Sequence, residues 1–348
     1  MAGLVQHCEV DRLTNLPNPI IYHILSFMEI KYAVRTCVLS SKWRYHWRGI
    51  HSLHLEFTCS RFCKEKFGRF VLHVLHHRRP SKLRKLTFYF RNSRKGPPYM
   101  KRIFEYAISN EVEELRTNDL GAFSLSRECE TLRTLEVHYL YMRTGFPSMF
   151  GFASLTTLQL SNVTLPSYIV VSLNNVFSNC LNLENLYLIK CSMGGNLTIS
   201  APNLVNLVIT KLKCEVNNPQ PSIMGRKIVI ESAPRLQFVD FSAINPMEMS
   251  IHECPKLEKV NIRTSPPVAW RERNSYSSSY RLVVILTAQY TSNSVAVLLN
   301  FFRGKLVSHC VYINPETKIM KSEKRSVIEH LWFFDGARVW KSIPRCLD

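Results

Sequence analysis

The sequence predicts an α/β chain: a small N-terminal three-helix module, then a solenoid of stacked strand units sharing a parallel sheet, then a C-terminal α+β cap. Three observations carry this. A pattern of the form apolar-x-x-apolar-x-apolar recurs in one register through most of the second half. Apolar residues at helical spacing, opened by a proline, precede it at 18–47. Hydrophobic residues make up 46% of the 348 and charged residues 20%, enough apolar surface to offset chain entropy in a packed core.

The helical module comes first. Asn18 suits an N-cap and Pro19 the first helical position. Ile20, Ile21, Ile24, Leu25 and Met28 then follow at helical spacing. A second helix is expected from near Lys31, with Ala33, Val34, Cys37 and Val38 apolar. A third is expected to hold Trp43 and Trp47, four apart on one face. Three short helices have little core of their own, so apolar residues left outside mark a partner surface.

The repeats follow. Clear copies stand at Leu83-Leu86-Phe88, Leu132-Leu135-Val137, Leu155-Leu158-Leu160 and Leu183-Leu186-Leu188. They continue at Leu204-Leu207-Ile209, Leu236-Val239-Phe241 and Leu257-Val260-Ile262, with weaker copies at Ile50-Leu53-Leu55 and Val112-Leu115. From Leu132 the starts lie 23, 28, 21, 32 and 21 residues apart. Leucine-rich repeats run at about 20–29 residues, and the long interval contains Asn217-Asn218-Pro219-Gln220-Pro221, which reads as a loop insertion. In a strand the last two apolar positions of each copy share a face. A single unit cannot bury that face; stacking units side by side can. Between the early copies, Phe67, Phe70, Val71, Val74 and Leu75, and then Ile103, Phe104 and Ala107, fall at helical spacing.

In the tail, Leu282–Thr287 is expected as a strand and Val295–Phe302 as a helix. Trp332, Phe333, Phe334, Val339 and Trp340 would make an apolar end cap for the last repeat. The expected division is 8–48 for the helical module, 49–268 for the leucine-rich-repeat solenoid and 269–348 for the cap. The first residues show no basic run followed by an apolar stretch, and no window approaches the roughly 20 apolar residues of a membrane span. Eleven scattered cysteines in such a chain are expected to be reduced, and the chain to work in the cytoplasm, the nucleus or both.

Residues 11–47 resemble the F-box of plant F-box/LRR-repeat proteins. The resemblance rests on Leu16-Pro17, the apolar helix through Phe27, Ala33-Val34, Val38-Leu39-Ser40, and Trp43-Arg44 before Trp47. Asn18 stands where the family usually has Asp, and Met28 where it usually has Leu. Cys180-Leu181-Asn182-Leu183, Ser200-Ala201-Pro202-Asn203-Leu204 and Ser232-Ala233-Pro234-Arg235-Leu236 extend the resemblance through the repeats to about residue 263. Some relatives carry an FBD-type tail beyond that point.

The resemblance implies a role without a reaction: a non-catalytic substrate adaptor of an SCF-type (cullin–RING) ubiquitin ligase, with no cofactor. Its F-box would dock on a Skp-type adaptor, and through it on cullin and RING subunits. By that analogy Leu16, Pro17, Ile20, Ile24, Leu25, Val34, Leu39 and Trp43 meet the adaptor. The alternative for each is packing inside the head, the expectation for Ile21, Val38 and Trp47. An unknown protein target would lie on the concave sheet, against the outward positions Glu136, His138, Gln159, Tyr187, Asp240, Asn261 and Arg263.

Other signals weigh less. Cys59, Cys63, His73 and His77 lack the spacing of a Cys2His2 zinc site. There is no glycine-rich phosphate loop and no Gly-x-Ser-x-Gly elbow, so no hydrolase or nucleotide site is marked. The net charge is +19, and residues 51–110 alone hold 14 Lys/Arg against 3 Asp/Glu. Such a field favours acidic partners. It supports an alternative reading: a basic-patch protein that binds nucleic acid or a phosphorylated ligand through the run His76–Lys85, with no ligase role. Neither nucleic acid nor membrane is the expected partner.

Overall fold

The computed structural model describes residues 12–57, 64–79, 82–90, 99–118, 129–138, 153–165, 177, 180–214, 226–244, 247–252 and 254–264. Beyond these it describes the backbone of six strands between 283 and 341. The chain forms two compact units, Met1–Phe123 and Ser124–Asp348.

The first unit opens with α1 (Asn18–Ser26) and α2 (Ile30–Arg35). A 3-10 segment, Trp43–Gly49, stands where a third helix was expected. The helix α1 is capped from Pro17 and receives no side-chain cap. Asn18, expected to cap it, instead places Oδ1 3.1 Å from His46 Nε2. Then come β1 (Ser52–Phe57), α3 (Lys64–His77), β2 (Lys85–Phe90), α4 (Met100–Ser109) and β3 (Glu114–Thr117). This is the strand–helix alternation predicted for the early repeats. The strands are parallel, with Leu53, Leu86 and Leu115 in one row and Leu55, Phe88 and Thr117 in the next. All six are buried. Val71, Val74 and Leu75 of α3 and Ile103, Phe104 and Ala107 of α4 are buried too. Gly68 sits mid-helix in α3 because a Cβ there would lie 2.5 Å from the ring of Tyr99. Burial of that ring, with no hydrogen-bond partner for its hydroxyl, pushes the Tyr99 pKa up to about 12.

The second unit carries two sheets. In chain order its strands begin with β4 (Thr134–His138), β5 (Thr157–Ser161), a two-residue β6 (Thr164–Leu165) and β7 (Asn185–Ile189). After them come β8 (Ser192–Met193), β9 (Leu197–Ser200), β10 (Asn206–Cys214), β11 (Arg226–Ser232), β12 (Phe238–Ala243), β13 (Met247–Ile251) and β14 (Lys259–Thr264). The tail adds β15 (Val283–Leu286), β16 (Ala296–Asn300), β17 (His309–Tyr312), β18 (Ile319–Lys321), β19 (Leu331–Asp335) and β20 (Arg338–Lys341).

In the first sheet β4, β5, β7, β10, β12, β14, β16 and β18 run parallel in that order. The predicted leucine register holds residue for residue. Leu135, Leu158, Leu186, Leu207, Val239 and Val260 form one ladder; Val137, Leu160, Leu188, Ile209, Phe241 and Ile262 form the next. Every member is at most 2% exposed, and the leading leucines 132, 155, 183, 204, 236 and 257 are buried beside them. Each such burial stabilises by about 1.5–3 kcal/mol, which is why the units must stack to be stable.

The turns repeat as well. The amides of Leu183, Leu204, Leu236 and Leu257 donate to the carbonyls of Cys180, Ala201, Ala233 and Cys254, three residues back. These four small residues are buried at the corner of each turn. Burial likewise raises the Cys191 thiol to about 11.

The second sheet was not anticipated. From Leu197 each repeat contributes a second strand, and β9, β11, β13, β15, β17 and β19 run parallel. Leu197, Ile228 and Met249 share a row, as do Ile199, Ile230 and Ile251, and all six are buried. Strands here replace the closing helices of the early repeats. The stretch expected as a helix, Val295–Phe302, holds strand β16. The aromatic cluster lies on β19 and β20, an antiparallel pair at the end of this sheet that sets Phe333 opposite Trp340. The described tail residues are all strand, so the helical part of the expected α+β cap finds no counterpart among them. The loop expected at 217–221 lies outside the described residues. No helix among the described residues is long and apolar enough to cross a membrane.

Candidate interaction surfaces

The head has filled its own core. Ile21, Leu25, Ile30, Ala33, Trp43 and Trp47 are buried. Lys42 Nζ donates to the Leu16 carbonyl at 2.6 Å and Trp43 Nε1 to the Leu13 carbonyl at 3.1 Å. These two bonds tie down the Leu13–Pro17 turn that leads into α1. Leu25 and Trp43 were expected among docking residues. At 0% and 2% exposure they instead hold the head together.

Apolar surface remains outside that core. Ile20 and Ile24 of α1 and Phe27 at its C-cap follow at spacings of four and three, and all are exposed. Leu13, Pro17 and Leu39 are exposed, while Leu16 and Val34 are half-buried. Val38, expected inside, is 83% exposed, and Phe27 is 74% exposed. The reason is local: α2 ends at Arg35, and a 3-10 turn at Thr36–Val38 rotates Val38 away from the face that buries Ala33. Exposed Tyr32 is flanked by Lys31 Nζ 4.8 Å from its ring centroid, and Arg48 lies 4.7 Å over Tyr45. The Glu29 carboxylate, 2.7 Å from Lys31 Nζ, raises that lysine's pKa.

The strand face of the second unit is the other candidate surface. Glu136, Gln159, Tyr187, Val208, Asp240 and Asn261 form one register row across β4, β5, β7, β10, β12 and β14, each half-buried. Five of the seven expected outward residues share this row, with Val208 a member that was not singled out; His138 and Arg263 lie two positions further along their strands. Asn261 Nδ2 donates to Asp240 Oδ1 at 3.3 Å, and His138 Nε2 stands 3.8 Å from Glu136 Oε2. In the adjacent row Asn206 Nδ2 donates to Asn185 Oδ1 at 2.7 Å, and Asn185 Nδ2 to Thr157 Oγ1 at 3.3 Å. Arg263 lies on β14 opposite Ser242; its side chain falls outside the described residues.

Within the basic run His76, Arg79, Lys82 and Arg84 are exposed, and several members are engaged. Arg78 is 6% exposed and donates from Nε to Tyr106 Oη at 2.9 Å. Lys82 lies 2.8 Å and Arg84 3.8 Å from Glu113, and Lys85 lies 3.2 Å from Glu114. Of the candidate zinc residues, His73 and His77 sit on α3 with His77 Nδ1 2.8 Å from the His73 carbonyl. Cys59 and Cys63 lie outside the described residues, and no cluster among the described residues fits a metal ion.

Comparison with known proteins agrees with the arrangement. Residues 82–287 match the family described as FBD-associated F-box protein At5g56370, LRR repeats, and residues 13–55 match the F-box domain. The chain is 28% identical over 341 residues to a putative FBD-associated F-box protein of Arabidopsis thaliana, At5g56440, covering 91% of this chain and 76% of that protein. It is 29% identical to a second Arabidopsis thaliana relative, the putative FBD-associated F-box protein At1g55030, covering 97% of this chain and 82% of the relative. It is 27% identical to the F-box/LRR-repeat protein At3g26922 of Arabidopsis thaliana, over 72% of this chain and 82% of that one. The repeat match alone spans more than half of the sequence, and the chain belongs to the FBD-associated F-box/LRR-repeat family.

Proposed function

We propose that this chain is a target-recruiting adaptor of an SCF-type ubiquitin ligase, which docks on a Skp-type adaptor and supplies position rather than bond chemistry. One observation carries the reading. The head keeps Ile20, Ile24, Phe27, Val38 and Leu39 exposed although its interior is already full. An apolar surface of this kind on a small module is a binding surface or a liability. The F-box match at residues 13–55 favours binding.

In this reading Leu16, Pro17, Ile20, Ile24, Val34 and Leu39 meet the adaptor, joined by Leu13, Phe27 and Val38. Leu25 and Trp43 act behind them by fixing α1 and the Leu16-Pro17 segment. The functional division is 8–48 for docking, 49–268 for the solenoid and 269–348 for its cap, in a chain working in the cytoplasm or nucleus. A target held on the strand face, at Glu136, His138, Gln159, Tyr187, Asp240, Asn261 and Arg263, gains effective concentration at the conjugating enzyme. The chain itself then needs no nucleophile.

Co-expression of the full chain with a Skp-type adaptor tests the docking step. The expected result is one co-purifying complex that persists at high salt, because apolar burial is insensitive to screening. Separate elution of the two chains at all salt concentrations would overturn it.

A further inference from the structure

Three consecutive repeats of the second unit turn inward through a residue in the left-handed backbone region: Asn162, Lys190 and Lys211, with φ of 54°, 53° and 54°. The turn has a packing purpose, since the next residues, Val163, Cys191 and Leu212, are fully buried. The three are stacked. The Asn162 amide donates to Ile189 O, and the Lys190 amide to Thr210 O; the Lys211 amide donates to Ser242 Oγ. At Lys211 the sheet register shifts, as at a bulge.

Left-handed backbone costs an ordinary L-residue about 1–2 kcal/mol, and Gly or Asn much less. Asn162 is such a residue; two lysines are not. Both lysines are exposed, and Lys190, directly after β7, donates its amide to the carbonyl of Thr210, the residue before Lys211 on β10. Directly before them on the same strands lie Tyr187 opposite Val208 and Ile189 opposite Thr210, a half-buried apolar strip on the outward face. The acids of this face are already engaged: Asp240 accepts from Asn261, and Glu136 lies beside His138. Among the described residues the lysines at the lip of the strip have no ion-pair partner. A ligand complementary to this geometry is apolar where it meets the strip and anionic where it meets the lip.

We infer that the strand face takes an extended peptide segment in which an acidic side chain adjoins an apolar one. The carboxylate lies on Lys190 and Lys211, and the apolar group on Tyr187, Val208 and Ile189. This rests on the reading of the strand face as the target surface and adds the target's chemistry. Lys213, exposed two residues beyond Lys211, extends the same cationic lip.

The test is selection of a random peptide library on the full-length chain, repeated on a Lys190→Asn, Lys211→Asn variant. The wild-type chain is expected to enrich peptides with Asp or Glu next to Leu, Ile or Phe. The variant is expected to lose roughly tenfold in affinity for them, the loss of two exposed ion pairs. It is also expected to melt at a higher temperature than the wild type, because Asn accepts the left-handed turn. A chain of +19 attracts acids over its whole surface, so the variant is what locates the site. Enrichment of neutral or basic peptides, no enrichment, or equal binding by the variant would each overturn the inference. Adaptor capture by the same variant should be unchanged. Failed peptide selection with intact capture therefore removes only the target chemistry, whereas failed capture removes the adaptor reading beneath it.

Discussion

An Ile20→Asp, Val38→Asp double variant is expected to lose at least about a hundredfold in affinity for the Skp-type adaptor while its melting temperature stays at the wild-type value. Each apolar side chain buried in an interface stabilises by about 1.5–3 kcal/mol, and every 1.4 kcal/mol is tenfold in affinity. Both residues are exposed in the free chain, so the charge meets water in the folded head and desolvates only on docking. Titration calorimetry and thermal unfolding on the same preparations read the two effects separately. Leu25→Ala should show the opposite split, a lower melting temperature with the docking face chemically intact, because Leu25 is 0% exposed and belongs to the head's own core. Equal adaptor affinity in the double variant would remove α1 and the Val38 turn from the interface.

The second large effect is on stability. Phe241→Ala is expected to destabilise the second unit by about 3–5 kcal/mol in chemical denaturation. Phe241 is fully buried and pairs in register with Ile209 on one side and Ile262 on the other. In a stacked array each unit is held mainly by its neighbours. The cavity therefore weakens two interfaces at once, and a broadened or two-step transition is expected. A loss below about 1 kcal/mol would mean that the inward ladder is not the core of the unit.

Much of this fold could be read from the chain because the repeat converts one physical demand into a fixed spacing. Leu135, Leu158, Leu186 and Leu207 sit in register because each strand must bury the same two positions against the last. The second sheet escaped notice for the converse reason. Leu197-Thr198-Ile199 and Met247-Glu248-Met249-Ser250-Ile251 alternate as strands do and Ile228-Val229-Ile230 is apolar throughout, but these patterns are only three to five residues long. They are short enough to pass for turns between the louder leucine copies. The helix expected at Val295–Phe302 failed similarly: a short apolar run carries no period that separates a helix from a strand buried on both faces.

The head was legible as a module and not as a surface. Helical spacing placed both Ile24 and Leu25 on apolar faces of α1, but spacing does not say which face looks inward. That choice is made by packing of α1 against the Trp43–Gly49 segment, in which Ile21 and Leu25 are buried while Ile20 and Ile24 stay outside. Val38 is exposed because α2 stops three residues earlier, a boundary no residue at 35 or 36 announces. Nor does the sequence mark Lys190 and Lys211 as left-handed. Lysine is not a turn residue, and only the stacked inward corners reveal the conformation.

Hydrogen–deuterium exchange of the full chain, alone and with a Skp-type adaptor, tests the central claim most directly. Protection is expected on mixing across 13–27 and 34–40, the stretches that hold the exposed apolar residues, with the strand ladders of the second unit unchanged. Unaltered exchange in those two stretches would contradict the account, and so would protection confined to the repeats.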